Sequence, residues 1–193
     1  MDFLLDLDRD IFIFLNGLHT PWLDVVMYYL SDKYIWIPLY AFLLYLCYLK
    51  YGMQCWIVVI GIALTVLLAD RITSGLMKDY FHRLRPSHDP GLAGIVHIVK
   101  SRGGNYGFAS SHAANTFGLA TLFWLMFRDR FKFIGWLFLW ATLVTYSRVY
   151  LGLHFPGDVL VGALTGILSA GIACYVTNML FRKLGRENSD AAL

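Results

Sequence analysis

Charged side chains are scarce in this chain: Asp, Glu, Lys and Arg make up 15% of its 193 residues, whereas soluble domains average about 25%. Hydrophobic residues make up 58% and aromatic residues 17%. Many aromatics lie near the ends of apolar runs, as in the interface belts of membrane proteins. The net charge of +3 is small and does not favour nucleic acid as a partner. The composition indicates one integral membrane domain over residues 1–193.

Cysteine is also rare, and the opening of the chain has no basic segment. Cys47, Cys55 and Cys174 lie within or at the edge of apolar runs. An odd, buried set does not form a disulfide framework, and the spacing does not suit zinc, so we interpret these residues as small apolar filler. A cleaved signal peptide is not expected, because MDFLLDLDRD is acidic where the first region of a signal is basic.

Five apolar runs predict membrane-spanning helices, and together they predict an all-α fold, a polytopic membrane bundle of about five to six helices. The runs cover residues 34–49, 51–69, 103–127, 133–147 and 159–181. Two of the runs are short, so their helices should extend into the charged flanks. Residues 1–30 mix acids with Ile, Phe, Leu and Trp, which predicts an interfacial segment of one or two amphipathic helices, broken around 16–21. Residues 184–193 predict a frayed tail.

Lysine and arginine are distributed unequally over the two ends of such a bundle. Five spans place the connections 78–110 and 149–157 on one side, and the turns 50–52 and 128–132 with the C-terminus on the other. The second side carries Lys50, Arg128, Arg130, Lys132, Arg182, Lys183 and Arg186. The positive-inside rule then predicts a multi-pass protein of the inner or plasma membrane, with the C-terminus cytoplasmic and the first side facing the periplasm or exterior.

Three polar stretches fall on that first side: KDYFHRLRP (78–86), ASSHAAN (109–115) and SRVYLGLHFPGD (147–158). Charge at the edge of a bilayer costs free energy, so such residues are read first as functional. The cations Lys78, Arg85 and Arg148 would together suit a multiply charged anion such as phosphate. Ser110 and Ser111 are good N-cap residues for the apolar helix that follows, and free backbone N–H groups at a helix start bind phosphate.

The third stretch places a histidine just before a helix start. Pro156 is suited to the first position of the last helix, so Asp158 should lie in its first turn with His154 just ahead. A carboxylate there can accept a hydrogen bond from one imidazole nitrogen. That bond would fix the tautomer and leave the other nitrogen free to attack phosphorus.

Taken in order, Lys-x6-Arg-Pro, Ser-x-His and Ser-Arg-x5-His-x3-Asp resemble the three-part signature of the type-2 phosphatidic acid phosphatase superfamily. That family includes lipid phosphate phosphatases and vanadium haloperoxidases. The resemblance covers residues 78–158, and the remaining helices fit the membrane branch. In the middle motif the family usually has Pro-Ser-Gly-His, whereas this chain has Ala109 and Ser111 at the proline and glycine positions, which affects the fine geometry around the phosphate.

The resemblance implies a role for each matched residue. The phosphoryl oxygens would be held by Lys78, Arg85 and Arg148, helped by Ser110 and by the Ser111 backbone.

The remaining matched residues would carry the chemistry. His154 would be the nucleophile, forming a phosphohistidine, with Asp158 orienting it. His112 would protonate the leaving oxygen and then act as base for the hydrolytic water. The resemblance implies no metal or other cofactor, and the sequence shows no acidic cluster that would hold a metal.

The leading hypothesis is an integral membrane phosphatase acting on the phosphomonoester or pyrophosphate of a lipid. A polyprenyl pyrophosphate such as undecaprenyl pyrophosphate, or a lipid A phosphate, is favoured over phosphatidylglycerol phosphate or phosphatidic acid. One alternative is a lipid phosphotransferase that uses the same histidine. Another is a non-hydrolytic anion or lipid transporter, which matching Gly- or Pro-broken helices in two halves would favour. The bilayer and the lipid phosphate are the expected partners, and the oligomeric state is left open.

Overall fold

The N-terminal segment forms two helices with a break between them. The computed structural model describes residues 2–190, and there α1 (Asp2–Gly17) is followed by α2 (Pro21–Ser31). Thr20 precedes α2 in an extended conformation, and Pro21 occupies the first turn, where its fixed φ and missing N–H are tolerated. The predicted break at 16–21 is therefore confirmed.

Each of the five apolar runs forms a helix, and no strand is assigned between residues 2 and 190. The helices are α3 (Ile37–Tyr51), α4 (Cys55–Asp70), α6 (Ser111–Phe127), α7 (Trp136–Tyr150) and α8 (Pro156–Asp190). A π-helical segment (Arg71–Met77) joins α4 to the short α5 (Lys78–Phe81). The segments Lys33–Phe81 and Pro156–Leu184 are long and apolar enough to cross a membrane. The predicted all-α bundle is confirmed.

α6 and α8 differ in extent from their apolar runs. α6 begins at Ser111, at the N-cap position that the serines predict, whereas its apolar run begins at 103, because the intervening residues run back beside the 83–85 segment. There Arg85 N donates to Asn105 O at 3.0 Å and Gly107 N donates to Arg83 O at 2.9 Å. At the other terminus, α8 continues to Asp190, so helical backbone extends into the predicted frayed tail. The last three residues of that tail, 191–193, lie outside the described residues.

α6 lies at the centre of the bundle and packs against α4, α7 and α8. The contact with α8 is close because two of its glycines face α6. A Cβ at Gly162 would lie 2.4 Å from Ser110 O, and one at Gly166 would lie 2.0 Å from Ala114 O. This contact holds the first turn of α6, which carries the second motif, against α8, whose first turn carries the end of the third.

The two ends of the bundle differ in what they carry. At one end Lys50 pairs with Asp129, and the rings of Tyr51 and Phe181 stack with centroids 4.8 Å apart. The turns 50–52 and 128–132 and the later part of α8 therefore lie together. The three motifs lie at the other end, the grouping that the five predicted spans require.

Candidate active site

The three motifs meet where α5 ends, α6 and α8 begin and α7 ends. The connection between α7 and α8 is a tight turn in which Leu153 N donates to Arg148 O at 3.0 Å. Gly152 makes this turn with φ of +73°, in the left-handed region that favours glycine. A Cβ there would lie 2.9 Å from His97 O. The turn thus brings His154 back toward Arg148, whose carbonyl oxygen accepts from His154 N at 3.3 Å.

His154 is buried, and its two ring nitrogens face different groups. Nε2 lies 3.5 Å from Arg85 Nη1, and Nδ1 lies 3.6 Å from Asp158 Oδ2. The second distance is longer than a hydrogen bond, and Nδ1 has no hydrogen-bond partner within residues 2–190. The structure thus places Asp158 beside the imidazole as predicted, but the predicted hydrogen bond is not formed. Such bonds often tighten only when substrate is bound.

The surroundings of His154 keep its imidazole neutral. Burial, followed by the positive charges of Arg85, Arg148 and Lys78, holds the pKa of His154 well below its ordinary value of 6.5. A neutral ring has a free lone pair on one nitrogen. His154 can therefore act as a nucleophile in mildly acidic as well as neutral solution.

This lowered pKa predicts the acid side of the pH–rate profile. The neutral form of His154 persists as the pH falls through 6.5 and is lost only when the pH reaches its lowered pKa. The plot of kcat/KM against pH reports ionisations of the free enzyme. The second ionisation of the substrate phosphate, near pH 6, is first corrected for. The acid limb that remains should then lie below pH 6.5. An acid limb at or above pH 6.5 would contradict this assignment.

Lys78 is bound to hydroxyl groups rather than to a carboxylate. Its Nζ donates to Ser111 Oγ at 3.1 Å and to Ser74 Oγ at 3.3 Å. Thr73 also donates to Ser111 Oγ at 3.1 Å. The serine that stands at the family's glycine position therefore places its hydroxyl against the lysine ammonium, and its side chain is already engaged by the π-helical segment.

Ser110 organises the start of α6. Its Oγ accepts from Ala113 N at 3.5 Å, which is the N-cap contact expected from the sequence. Its own backbone N–H donates to Asp158 O at 2.9 Å. Ser110 is fully buried, so its side chain acts in the helix cap and its backbone ties α6 to α8.

The arginines complete a cluster of cations. Arg85 is held by backbone oxygens, with Nε donating to Tyr106 O at 3.1 Å and Nη1 to Leu153 O at 3.4 Å. Arg148 donates through Nη1 to Ser31 Oγ in α2, and its buried Nε has no partner in the described part of the chain. No carboxylate is among these partners. The guanidinium groups thus retain donor capacity for a bound anion.

His112 lies in the first turn of α6 and is close enough to the cations Arg148, Arg85 and Lys78 to be affected by their charges. The residues predicted from the three motifs are therefore brought together. Their individual catalytic roles stay predictions.

The sequence analysis gave no role to three residues that contact this cluster. Arg83 bridges Asp8 of α1 and Asp158 of α8, and Ser31 of α2 holds Arg148. Arg83 lies two residues before Arg85 and so could have been suspected. Asp8 and Ser31 carry no spacing signal, because their partners are distant in the sequence.

A cavity of about 960 Å³ lies beside the cluster, between α1 and the start of α8. Most of its lining is apolar, including Leu4, Ile11, Phe81, Phe108 and Leu160. Of the described residues that line it, none belongs to the predicted catalytic or phosphate-binding set. The cavity is therefore an apolar neighbour of the polar cluster and suits a hydrocarbon chain.

Comparison with known proteins places this arrangement in a family. Residues 54–182, more than half of the chain, match the model of the PAP2 superfamily. The lipid A 4'-phosphatase of Bacteroides thetaiotaomicron is 38% identical over 95% of this chain and 83% of its own length. The undecaprenyl-diphosphatase of Sulfolobus acidocaldarius is 30% identical over 81% of this chain and 72% of its own. The crystal structure of Aquifex aeolicus LpxE superimposes with a TM-score of 0.66 at 29% identity, covering 86% of this chain and 94% of that one.

Proposed function

Because the chain belongs to the PAP2 superfamily, we propose that it removes a phosphate from a membrane lipid through a phosphohistidine on His154, and that lipid A is its substrate. The family and the 38% identical relative identify a membrane-bound lipid phosphatase. The substrate and the residue roles are the proposal.

The observation that supports the chemistry is the position of His154 Nε2. It faces Arg85 at 3.5 Å, and the charges of Arg148 and Lys78 reach the same ring. A phosphoryl group held by these cations would have its phosphorus in front of a neutral imidazole nitrogen. Asp158 lies on the other side of the ring, 3.6 Å from Nδ1. There it can accept a hydrogen bond from Nδ1–H as positive charge develops on the imidazole.

Two displacements at phosphorus then complete the reaction. The first starts with His112 protonated, a form that the negative charge of the bound phosphate favours. Nε2 of His154 bonds to phosphorus, the bond from phosphorus to the lipid oxygen breaks, and His112 gives that oxygen its proton and becomes neutral. In the second, His112 takes a proton from water, the water oxygen bonds to phosphorus, and the phosphorus–nitrogen bond breaks. Inorganic phosphate and neutral His154 are regenerated.

Lipid A is favoured over undecaprenyl pyrophosphate because the more similar relative is a lipid A phosphatase. The test is phosphate release by the purified protein in detergent from lipid A, undecaprenyl pyrophosphate, phosphatidylglycerol phosphate and phosphatidic acid. We expect the highest kcat/KM with lipid A, with mass spectrometry showing the loss of one phosphate. A higher kcat/KM with undecaprenyl pyrophosphate would reverse the assignment. Phosphate appearing on an added alcohol acceptor instead of in solution would indicate a phosphotransferase.

Metal chelation should leave this reaction intact. Among the side chains that the structure describes, no group of three or more His, Cys, Asp or Glu residues is placed to hold a metal ion. We expect the initial rate to be unchanged by EDTA and to be inhibited by vanadate, which takes the five-coordinate geometry of the displacement at phosphorus. Loss of activity in EDTA with recovery in Mg²⁺ would contradict the proposed mechanism.

We place the site at the periplasmic or exterior face of the membrane, as the distribution of cations suggests. Cysteine labelling tests this in a variant lacking Cys47, Cys55 and Cys174. One reporter replaces Ala93, which is exposed in the long loop, and a second replaces Ser189 near the C-terminus. A membrane-impermeant thiol reagent should label intact cells carrying Ala93→Cys and spare those carrying Ser189→Cys. The reverse pattern would invert the topology.

A further inference from the structure

Asp158 is fully buried, and both of its carboxylate oxygens are held. Oδ1 accepts from Arg83 Nη1 at 2.8 Å. Oδ2 accepts from Phe155 N at 3.0 Å and faces His154. These two contacts fix the plane of the carboxylate and therefore decide which oxygen the imidazole meets.

Arg83 is in turn held by the N-terminal helix. Its Nη2 donates to Asp8 Oδ2 at 2.7 Å, and Asp8 Oδ1 accepts from Gly157 N at 2.7 Å. A Cβ at position 157 would lie 2.9 Å from Asp8 Oδ2, so a side chain there would displace the Asp8 carboxylate. One aspartate of α1 thus contacts both Arg83 and the first turn of α8.

Aromatic packing adds a second link between α1 and the catalytic turn. The Arg83 guanidinium lies 4.2 Å from the centroid of the Phe155 ring. That ring meets Phe12 of α1 edge to face, with centroids 5.3 Å apart. Phe12 and Phe155 are both buried, so displacement of α1 would disturb the residue directly after His154.

We propose that Arg83 is a positioning residue that holds Asp158 in the orientation His154 needs. Asp8 anchors Arg83, so α1 contributes to the active site. This inference rests on the proposed function, in which Asp158 orients the nucleophile. Arg83 does not serve as a phosphate-binding cation, because its two terminal nitrogens are engaged by carboxylates. A lysine could not replace it fully, since a single ammonium lacks the planar fork that reaches both carboxylates.

The proposal predicts a loss in kcat with little change in KM. Residues that orient metal ligands typically contribute about 10- to 100-fold, and we expect a similar factor for a residue that orients the partner of a nucleophile. We expect Arg83→Gln to lower kcat by about this factor, Arg83→Lys to recover part of it, and Asp8→Asn to lower kcat less than Arg83→Gln. Asp10→Asn is the matched control, because Asp10 lies on the same helix and is exposed; it should retain wild-type kcat.

The double variant Asp8→Asn/Arg83→Gln separates positioning from general stability. If Asp8 acts through Arg83, the double variant should have the kcat of Arg83→Gln alone, whatever its melting temperature. Independent, multiplying losses would overturn the proposal, as would a rise in KM with kcat preserved or an Asp8→Asn enzyme no slower than Asp10→Asn.

Wild type and His154→Ala are assayed beside these variants. An active wild type, an inactive His154→Ala and an Asp8→Asn enzyme with normal kcat would refute only the role of Arg83 and Asp8. A wild type that releases no phosphate from any lipid phosphate would overturn the proposed function together with this inference.

Discussion

Replacing His154 by alanine is expected to lower phosphate release by a factor on the order of 10⁴ or more, since removing a nucleophile leaves only binding and electrostatic effects. The nitrogen proposed to attack, His154 Nε2, lies 3.5 Å from Arg85, one of the cations proposed to hold the phosphate, and the proposed mechanism gives the neighbouring His112 the acid–base role instead. The measurement is steady-state phosphate release by purified variants in detergent, with the folded state of each variant checked by its melting temperature.

His82→Asn is the matched control for this substitution. His82 follows α5, is exposed and has φ of +46°, a conformation that asparagine adopts readily. Its activity should be unchanged. Asp158→Asn should retain some turnover, because it would impair the orientation of the nucleophile without removing it. A His154→Ala protein with near wild-type phosphate release would remove the basis of the proposed mechanism.

The second large effect is expected at Arg148, where activity and stability should respond differently. Arg148→Gln removes a buried cation that would contact the phosphoryl oxygens, and the loss of one such donor typically costs about 10²- to 10³-fold in rate. The same substitution relieves repulsion among Arg148, Arg85 and Lys78, none of which has a carboxylate partner in the described residues. We therefore expect kcat/KM to fall while the melting temperature is maintained.

Arg128→Gln is the control at the opposite end of the bundle, where Arg128 is exposed. It should change neither kcat/KM nor inhibition by vanadate, whereas Arg148→Gln should weaken vanadate inhibition along with catalysis. An Arg148→Gln protein whose lost activity is explained by a smaller folded fraction would show that Arg148 is structural.

The sequence predicted the helices well because their apolar runs are long and bounded by charge. It also predicted that three separated motifs would meet, since helix ends on one side of a bundle lie near one another. The serines at 110 and 111 predicted the start of α6 correctly, but the apolar run assigned to this span was too long, because residues 103–110 are as free of charge as a span. Their backbone instead pairs with the 83–85 segment, a contact that composition does not encode.

The details of the site depended on tertiary contacts that have no sequence spacing. Asp158 lies beside His154 as its i+4 position requires, but its nearer strong partner is Arg83. Asp8 and Ser31 reach the candidate site only because α1 and α2 pack against the end of the bundle that carries the three motifs. Amphipathic patterning predicted that these two helices exist, but it did not assign either of them to the active site.

The most direct test of the account is to trap the phosphorylated enzyme and locate the phosphoryl group. His112→Ala would be mixed with a phosphate ester that has a good leaving group. The first step then proceeds without protonation by His112, whereas the second is slow because no base activates the water. The reaction would be quenched in alkaline denaturant, which preserves phosphohistidine, and the modified peptide identified by mass spectrometry. We predict one acid-labile phosphoryl group on His154, absent from His154→Ala/His112→Ala. A phosphoryl group found on another residue would contradict the account. So would a wild type that releases phosphate while no phosphorylated protein is detected in the wild type or in His112→Ala.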